Sequence, residues 1–383
     1  MKDDLSKAFK AKELYDKNIN FLFGSGASAS YIPTLKIKDD LTYEDLLTNK
    51  NYKMVEDFIY YHYCKTILKK SYCLKPLQLK QKISFRRTLI DYMRFIKLLS
   101  ELIKNKSANQ IRRANIFTTN YDLFMERAAD NLSNNSSFIF NDGARGLNVR
   151  HLSISNFHTS TWHQGTNDLY KFEIPTINLI KMHGSVSWNK VGDDAIRIIY
   201  PSKYPDLLNI KLENRDSLLT SIDIIEEQNI IDDADVALSL CENDKNLLKQ
   251  FRVKYDKLAI VNPTKLKFEE TVLQQHYYQS LRLLSYELEK PQTVLICFGF
   301  SFKDEHIREI IKRSLSNPSL VVFIFCYKQS DKGEIKKLLA DKKIIFIYPD
   351  SNTAENNLNF KRFINCIFSK DESLPLEGLI CNL

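Results

Sequence analysis

The chain has 383 residues with a formal net charge of +8, 44% hydrophobic and 27% charged residues, the composition of a soluble globular protein with one large domain or two modest ones. No apolar run approaches the roughly 20 residues that span a bilayer, and the N-terminal "MKDDLSKAFKAKEL" lacks the apolar stretch of a secretory signal, so a cytoplasmic protein without a membrane segment is expected. The seven cysteines are scattered and form no C-x-x-C pair, which argues for buried free thiols rather than a disulfide framework.

Taken in chain order, strand-like runs fall at 19–25, 114–120, 177–184, 195–201, 258–263, 293–300, 320–327 and 343–349. Several, such as "VLICFGF" and "VVFIFCY", are continuous apolar runs, the pattern of strands covered on both faces. Amphipathic helical text separates them; in 268–289 the residues Phe268, Val272, Tyr277, Leu281, Leu284 and Leu288 share one stripe. This alternation predicts an α/β fold with a doubly wound, mostly parallel, Rossmann-like sheet. Two stretches, 36–112 and 202–257, show helical periodicity without a convincing strand and read as two helical insertions. The expected organisation is therefore one domain over 1–350, with core segments 19–35, 113–201 and 258–350, then a C-terminal helix and tail over 351–383, of which 370–383 reads as a loose tail.

Charge is unevenly distributed. Residues 65–113 hold 14 Lys or Arg against Asp91 and Glu101, +12 in that stretch and −4 over the remainder, whereas 221–235 is acidic. A basic segment of this kind suits either a nucleic-acid or acidic-partner surface or a solvated helical face.

Ligands of doubly wound sheets sit at the carboxyl ends of the strands, and four such ends carry unusual residues. "FLFGSGAS" places Gly24, Ser25, Gly26, Ala27 and Ser28 after a strand, although the chain has only 10 glycines. Two glycines in one turn would let the backbone approach a pyrophosphate, with the next helix turn supplying N–H groups; a plain structural turn is the alternative. "NIFTTNYD" ends in Thr118, Thr119, Asn120, Tyr121 and Asp122, of which capping of the following helix explains one. "LIKMHGS" sets His183 beside Gly184, a general-base candidate with glycine opening space. "LICFGFSFKDEHI" ends a strand at Gly299, Phe300 and Ser301, and Asp304 and Glu305 open a helix, which fits adenosine-ribose recognition or simple capping.

The order of these four motifs resembles the sirtuin family, over roughly 19–33, 114–200 and 258–350. The resemblance implies that the loop of Gly24, Ser25, Gly26, Ala27 and Ser28 cradles the pyrophosphate of NAD. It implies that Thr118, Thr119, Asn120 and Asp122 line the nicotinamide-ribose pocket and that His183, beside Gly184, is the catalytic base. Gly299, Phe300 and Ser301 would then meet the adenosine side. Departures are equally specific. The zinc module of two Cys-x-x-Cys pairs found in protein-deacylating sirtuins is missing, since only Cys241 lies between His183 and residue 296, so no zinc is expected. After Ile32 and Pro33 the family's Asp-Phe-Arg is replaced by Thr34, Leu35 and Lys36, and Cys326 and Tyr327 stand where a ribose-binding asparagine is expected. This pattern is similar to divergent sirtuin-like proteins of bacterial anti-phage systems, which hydrolyse NAD to nicotinamide and ADP-ribose and pair with a HerA-type hexameric ATPase. Catalysis by His183, Asn120 and Asp122, NAD as substrate, a homo-oligomer and an ATPase partner are the expectations that follow. A non-catalytic NAD or ADP-ribose sensor, a protein deacylase and a nucleic-acid-processing subunit are the competing classes.

Overall fold

The computed structural model describes residues 14–38, 41–76, 78–107, 110–135, 137–166, 170–192, 195–212, 242–264, 275–349, 357–368 and 379–382. In chain order the strands begin with β1 (Asn18–Phe23), a short pair β2 (Lys36–Lys38) and β3 (Leu41–Thr42), then β4 (Arg113–Thr118), β5 (Ile139–Asn141), β6 (Ala144–Arg145) and β7 (Arg150–Leu152). A second short pair, β8 (Trp162–His163) and β9 (Phe172–Glu173), precedes β10 (Thr176–Lys181), β11 (Gly184–Val191), β12 (Ala195–Ile198) and β13 (Leu258–Ile260). The last four are β14 (Thr293–Phe298), β15 (Val321–Phe325), β16 (Ile344–Pro349) and β17 (Leu379–Asn382).

Eight of these strands form the main sheet, in the order β17-β16-β15-β14-β1-β4-β10-β5. Seven run parallel, and β17 closes one edge antiparallel to β16. The Rossmann-like α/β fold expected from the alternation of strands and helices is present, because runs such as Thr293–Phe298 are buried along their whole length and need helices on both faces. Alternate side chains go to opposite faces. Phe21, Phe23, Ile116, Ile296 and Phe298 meet helices Leu79–Lys104, Phe124–Leu132 and Phe360–Phe368 on one side. Leu22, Phe117, Leu295 and Cys297 meet helices Gln275–Glu289 and Glu305–Ser314 on the other.

Two of the strands expected in the main sheet lie elsewhere. β12 and β13 belong to a second, antiparallel sheet of order β13-β11-β12-β7-β6. The cause is β11, which follows β10 after a two-residue turn and carries the chain out of the parallel sheet. Its text, "GSVSWNKV", alternates with Val186 and Trp188 buried, a period-2 signal that the reading of 177–184 as a single strand passed over.

Stretch 36–112 is mostly helical as expected, apart from the β2–β3 pair. Its long helix buries Phe85, Thr88, Tyr92, Phe95, Ile96, Leu99, Leu102 and Ile103 at helical spacing, while Arg86, Arg87 and Lys97 stay exposed on the other side. The acidic run 221–235, Phe268 and Val272 lie outside the described residues. The C-terminal stretch is a correction: 379–382 is not loose but pairs with β16, covering an edge whose backbone groups would otherwise stand unpaired. No helix among the described residues is long and apolar enough to cross a membrane.

Candidate functional site

The main sheet reverses its winding at β1, which has β4 on one side and β14 on the other. A crevice at the carboxyl ends of β1 and β14 is where such sheets bind ligands, and Gly24 and Gly299 follow those two strands directly. Their backbones cross at close range. Gly24 N donates to Phe298 O (3.1 Å) and Gly26 N to Gly299 O (3.0 Å). A Cβ on Gly24 would stand 2.8 Å from Phe300 Cα, and one on Gly26 2.6 Å from Gly299 Cα. Gly299 itself has φ +64, left-handed backbone that favours glycine. The glycines of the first loop are thus required by the crossing with residues 299–300, whatever else they admit.

The loop differs from expectation in two further ways. A single 3₁₀ turn, Ser25–Ala27, stands where an α-helix was expected. The N–H groups of Ala27, Ser28 and Ala29 donate to Gly24 O, Ser25 O and Gly26 O, so they are engaged within the loop. Ser28, expected at the phosphates, is buried; its hydroxyl donates to Asp122 Oδ2 (2.8 Å) and lies 2.8 Å from Tyr92 OH on helix Leu79–Lys104. Ser25 and Ser301 are exposed beside the crossing, and Phe300 is half-buried.

At the end of β4, Thr118 Oγ1 donates to Phe23 O (3.0 Å) and accepts from Asn120 N (3.0 Å), while Thr119 N donates to Phe23 O (3.1 Å). These bonds lock the loop to β1 and leave Thr119 and Asn120 half-buried at the sheet's carboxyl edge. Asp122 is the hub beneath them. Its carboxylate accepts from Ser28 Oγ and from Phe124 N (3.1 Å), and the nearby Asn120 side chain helps lower its pKa, so it links the glycine loop, the β4 loop and the start of helix Phe124–Leu132. Tyr121 OH donates to Val261 O (2.8 Å), tying the same loop to the second sheet.

The sequence reading missed the cation in this network. Lys181, the last residue of β10, is buried with its Nζ on the Asp122 carbonyl and 2.9 Å from Glu126 Oε1. Burial pushes the Asp122 and Glu126 carboxyls above their usual range, with Lys181 pulling both back down. A lysine ending an apolar strand, two residues before His183, was the available signal.

His183 is buried one turn further on, and its Nε2 stands 2.9 Å from Asp304 Oδ2, with both side chains less than a tenth exposed. Asp304 precedes helix Glu305–Ser314 but makes no side-chain cap there; the structure brings its carboxylate to His183. Gly184 has φ +83, and a Cβ there would stand 2.9 Å from Ile260 Cα, so this glycine serves the β11–β13 contact. Phe302, fully buried, also has positive φ (60°), a strained conformation for an aromatic residue beside Gly299–Ser301.

The structure therefore brings Gly24–Ser28, Thr118–Asp122, His183 and Gly299–Ser301 to the carboxyl edge of one sheet. Among the described residues no group of three or more His, Cys, Asp or Glu is placed to hold a metal ion. Two concavities are lined by other residues: a groove of about 680 Å³ between helices Gln275–Glu289 and Glu305–Ser314, and a cleft of about 390 Å³ over Glu126, Asp142, Arg150 and Tyr200.

Fold and edge together define a Rossmann-like α/β protein with its strand-end polar residues gathered beside the crossing of the turns that follow β1 and β14. Residues 114–224 match the family model of the SIR2-like domain, which supports a sirtuin-like relationship and is consistent with binding or use of NAD. The match contains Asn120, Asp122 and His183; the glycine loop and residues 299–304 lie outside it. No curated protein matches the chain.

Proposed function

We propose that this chain is an NAD glycohydrolase, releasing nicotinamide and ADP-ribose. The observation that carries the reading is the convergence of Asn120, Asp122 and His183 with the Gly24–Gly299 crossing on one sheet edge, in a chain whose residues 114–224 are SIR2-like. The nicotinamide leaving group is cationic, so heterolysis of its bond to ribose C1′ returns the electron pair to the ring nitrogen and neutralises it. A water oxygen then bonds to C1′ and gives its proton to His183. The protein's task is to orient the ribose and that water and to exclude other acceptors. Asn120, aligned by Asp122, is the group for the ribose hydroxyl or water. Ser25 and Ser301, exposed beside the crossing, are the side chains for the phosphates.

We further propose that the chain works as a homo-oligomer with a HerA-type ATPase in anti-phage defence; this part rests on the sequence resemblance alone. The test is nicotinamide release from NAD, measured on the chain alone and on the assembly captured with a tagged chain, with and without acylated peptide. Release without peptide, lost in Asn120→Ala with an unchanged melting temperature, is the expected result. No release by either preparation would overturn the reading, and release only with acylated peptide would make the protein a deacylase.

A further inference from the structure

We propose that the exposed face of helix Leu79–Lys104 is the docking surface for the acidic segment 221–235 of the same chain, held by aliphatic contacts and by ion pairs with the helix's arginines and lysines. The inference does not depend on the proposed hydrolase activity.

The helix turns Phe85, Thr88, Tyr92, Phe95, Ile96 and Leu99 to the core. On the opposite side Leu79, Ile83 and Ile90 stand 72%, 46% and 50% exposed, and their spacing of four and then seven residues aligns them in one stripe. Arg86, Arg87, Arg94 and Lys97 are exposed along the same stripe, with Lys80 at its margin. Single exposed apolar residues are ordinary on a surface. Aliphatics aligned among bases call for a partner that is both aliphatic and acidic. Nucleic acid would supply phosphates for the bases but no aliphatic surface to cover Leu79, Ile83 and Ile90.

The chain itself contains that partner. Residues 221–235, "SIDIIEEQNIIDDAD", carry six Asp or Glu, five Ile and no Lys or Arg. They belong to the stretch 213–241, outside the described residues, and the chain enters that stretch beside the helix. Lys65 Nζ donates to Leu208 O and Ile210 O (2.7 Å each), and Lys69 Nζ lies 5.6 Å from the Tyr204 ring. The adjacent Lys70 Nζ lies 5.7 Å from the Tyr31 ring, whose centroid is 5.3 Å from that of Phe85 in the N-terminal half of the helix. Residues 213–220 alone give roughly 25 Å of reach, about twice the diameter of the helix to be rounded, roughly 10–12 Å. Single surface ion pairs are worth little. Tethering, however, holds the segment at an effective concentration of roughly millimolar, so a weak network of pairs suffices. Such a contact is sensitive to salt.

The experiment treats the full chain with a carbodiimide, which joins carboxylates to amines at zero length, and reads the links by peptide mass spectrometry. Links from the acids of 221–235 to Lys80, Lys82 and Lys97 are expected at about 0.05 M salt and at least about fivefold fewer at about 1 M. A mixture of ¹⁴N and ¹⁵N chains is expected to give links within one isotope only, as docking in the same chain requires. Arg86→Glu with Arg87→Glu is expected to lower the links about fivefold at an unchanged melting temperature, and Glu226→Arg with Glu227→Arg added to it should recover them. Leu79→Ser with Ile83→Ser, at two exposed positions, is expected to lower the links as well and replaces the charge reversal if that variant does not fold. Absence of the links in the parent, links spread evenly over lysines of other helices, or links indifferent to salt and to these variants overturns the inference. Links between isotopes also overturn it and make a second copy the occupant. Where the parent gives no links, protection of Lys80 and Lys97 from an amine reagent by duplex DNA would assign the face to nucleic acid instead.

Discussion

At Gly26 an added Cβ would meet Gly299 Cα, and at Gly299 it would meet Gly26 Cα (2.8 Å), so each glycine makes room for the other's backbone. This changes what a substitution there reports. Gly26→Ala is expected to cost about 1–3 kcal/mol of stability through overpacking, in addition to any effect on NAD. A thermal melt at the parent temperature would show that the loop gives way and that the crossing is not tight. Lys106 allows a pH prediction of known sign. It is buried, its Nζ donates to Lys17 O (2.7 Å) and Ile111 O (3.3 Å), and burial lowers its pKa to about 8, with Arg113 adding to the effect. Because the folded protein releases this proton before the unfolded chain does, the contribution of Lys106 to stability grows as pH rises above about 8 and is lost as pH falls through that value. Denaturant unfolding of the parent and of Lys106→Met should therefore diverge by about 2 kcal/mol more at pH 10 than at pH 7. An equal gap at both pH values would mean that the lysine is solvated.

Across four adjacent strands of the main sheet runs a row of asparagines. Asn115 Nδ2 donates to Asn20 Oδ1, Asn178 Nδ2 to Asn115 Oδ1 and Asn141 Nδ2 to Asn178 Oδ1, each at 2.9 Å. The parallel registers pair Asn20 with Asn115, Asn115 with Asn178, and Asn178 with Asn141, so the row exists only in this alignment of strands. A one-residue slip would turn each amide to the opposite face and strand it in an apolar layer. Asn115→Ala leaves an acceptor on one side and a donor on the other without their partner, and is expected to cost about 2–4 kcal/mol. Because the same bonds are lost, Asn20→Ala added to Asn115→Ala should cost clearly less than the sum of the single changes. Strict additivity in denaturant midpoints would mean that the row does not act as a unit.

The C-terminal helix Phe360–Phe368 packs into the aromatic layer on one face of the main sheet. Phe363 has ring centroids 4.5 Å from Phe298, 4.9 Å from Phe325 and 5.7 Å from Phe23, while Phe360 lies 4.8 Å from Tyr92. Tyr92 in turn touches Ser28, so the packing of this helix reaches the hydroxyl that anchors Asp122. Phe363→Ala is therefore expected to lower global stability by about 3–5 kcal/mol in a single cooperative transition. If calorimetry instead showed a separate low-temperature transition and an unchanged main one, the helix would be an accessory.

Strand positions in the main sheet were legible because a strand buried on both faces must be apolar along its length, and "TVLICF" or "INFLF" has no other stable use. The site's strand-end residues were legible for the related reason that polar side chains clustered where an apolar run stops exceed what capping requires. What sequence could not settle was which of those residues answer one another across space. Ser28 reads as a phosphate ligand until Tyr92 and Asp122 are seen beside it, and Asp304 reads as a cap until His183 is found 2.9 Å away. Periodicity carries which face of an element is apolar; it carries nothing about partners 94 or more residues distant, such as Ser28 with Asp122. Sheet order made those contacts, by setting β1 between β4 and β14 and by turning β11 out of the parallel sheet. The sequence by itself determined the α/β layering and the strand ends that carry polar residues. Only the tertiary structure decided that two glycine turns cross, that Lys181 and Glu126 lie under the site, and that the histidine faces an aspartate, because those depend on close approach between segments that local patterns do not encode.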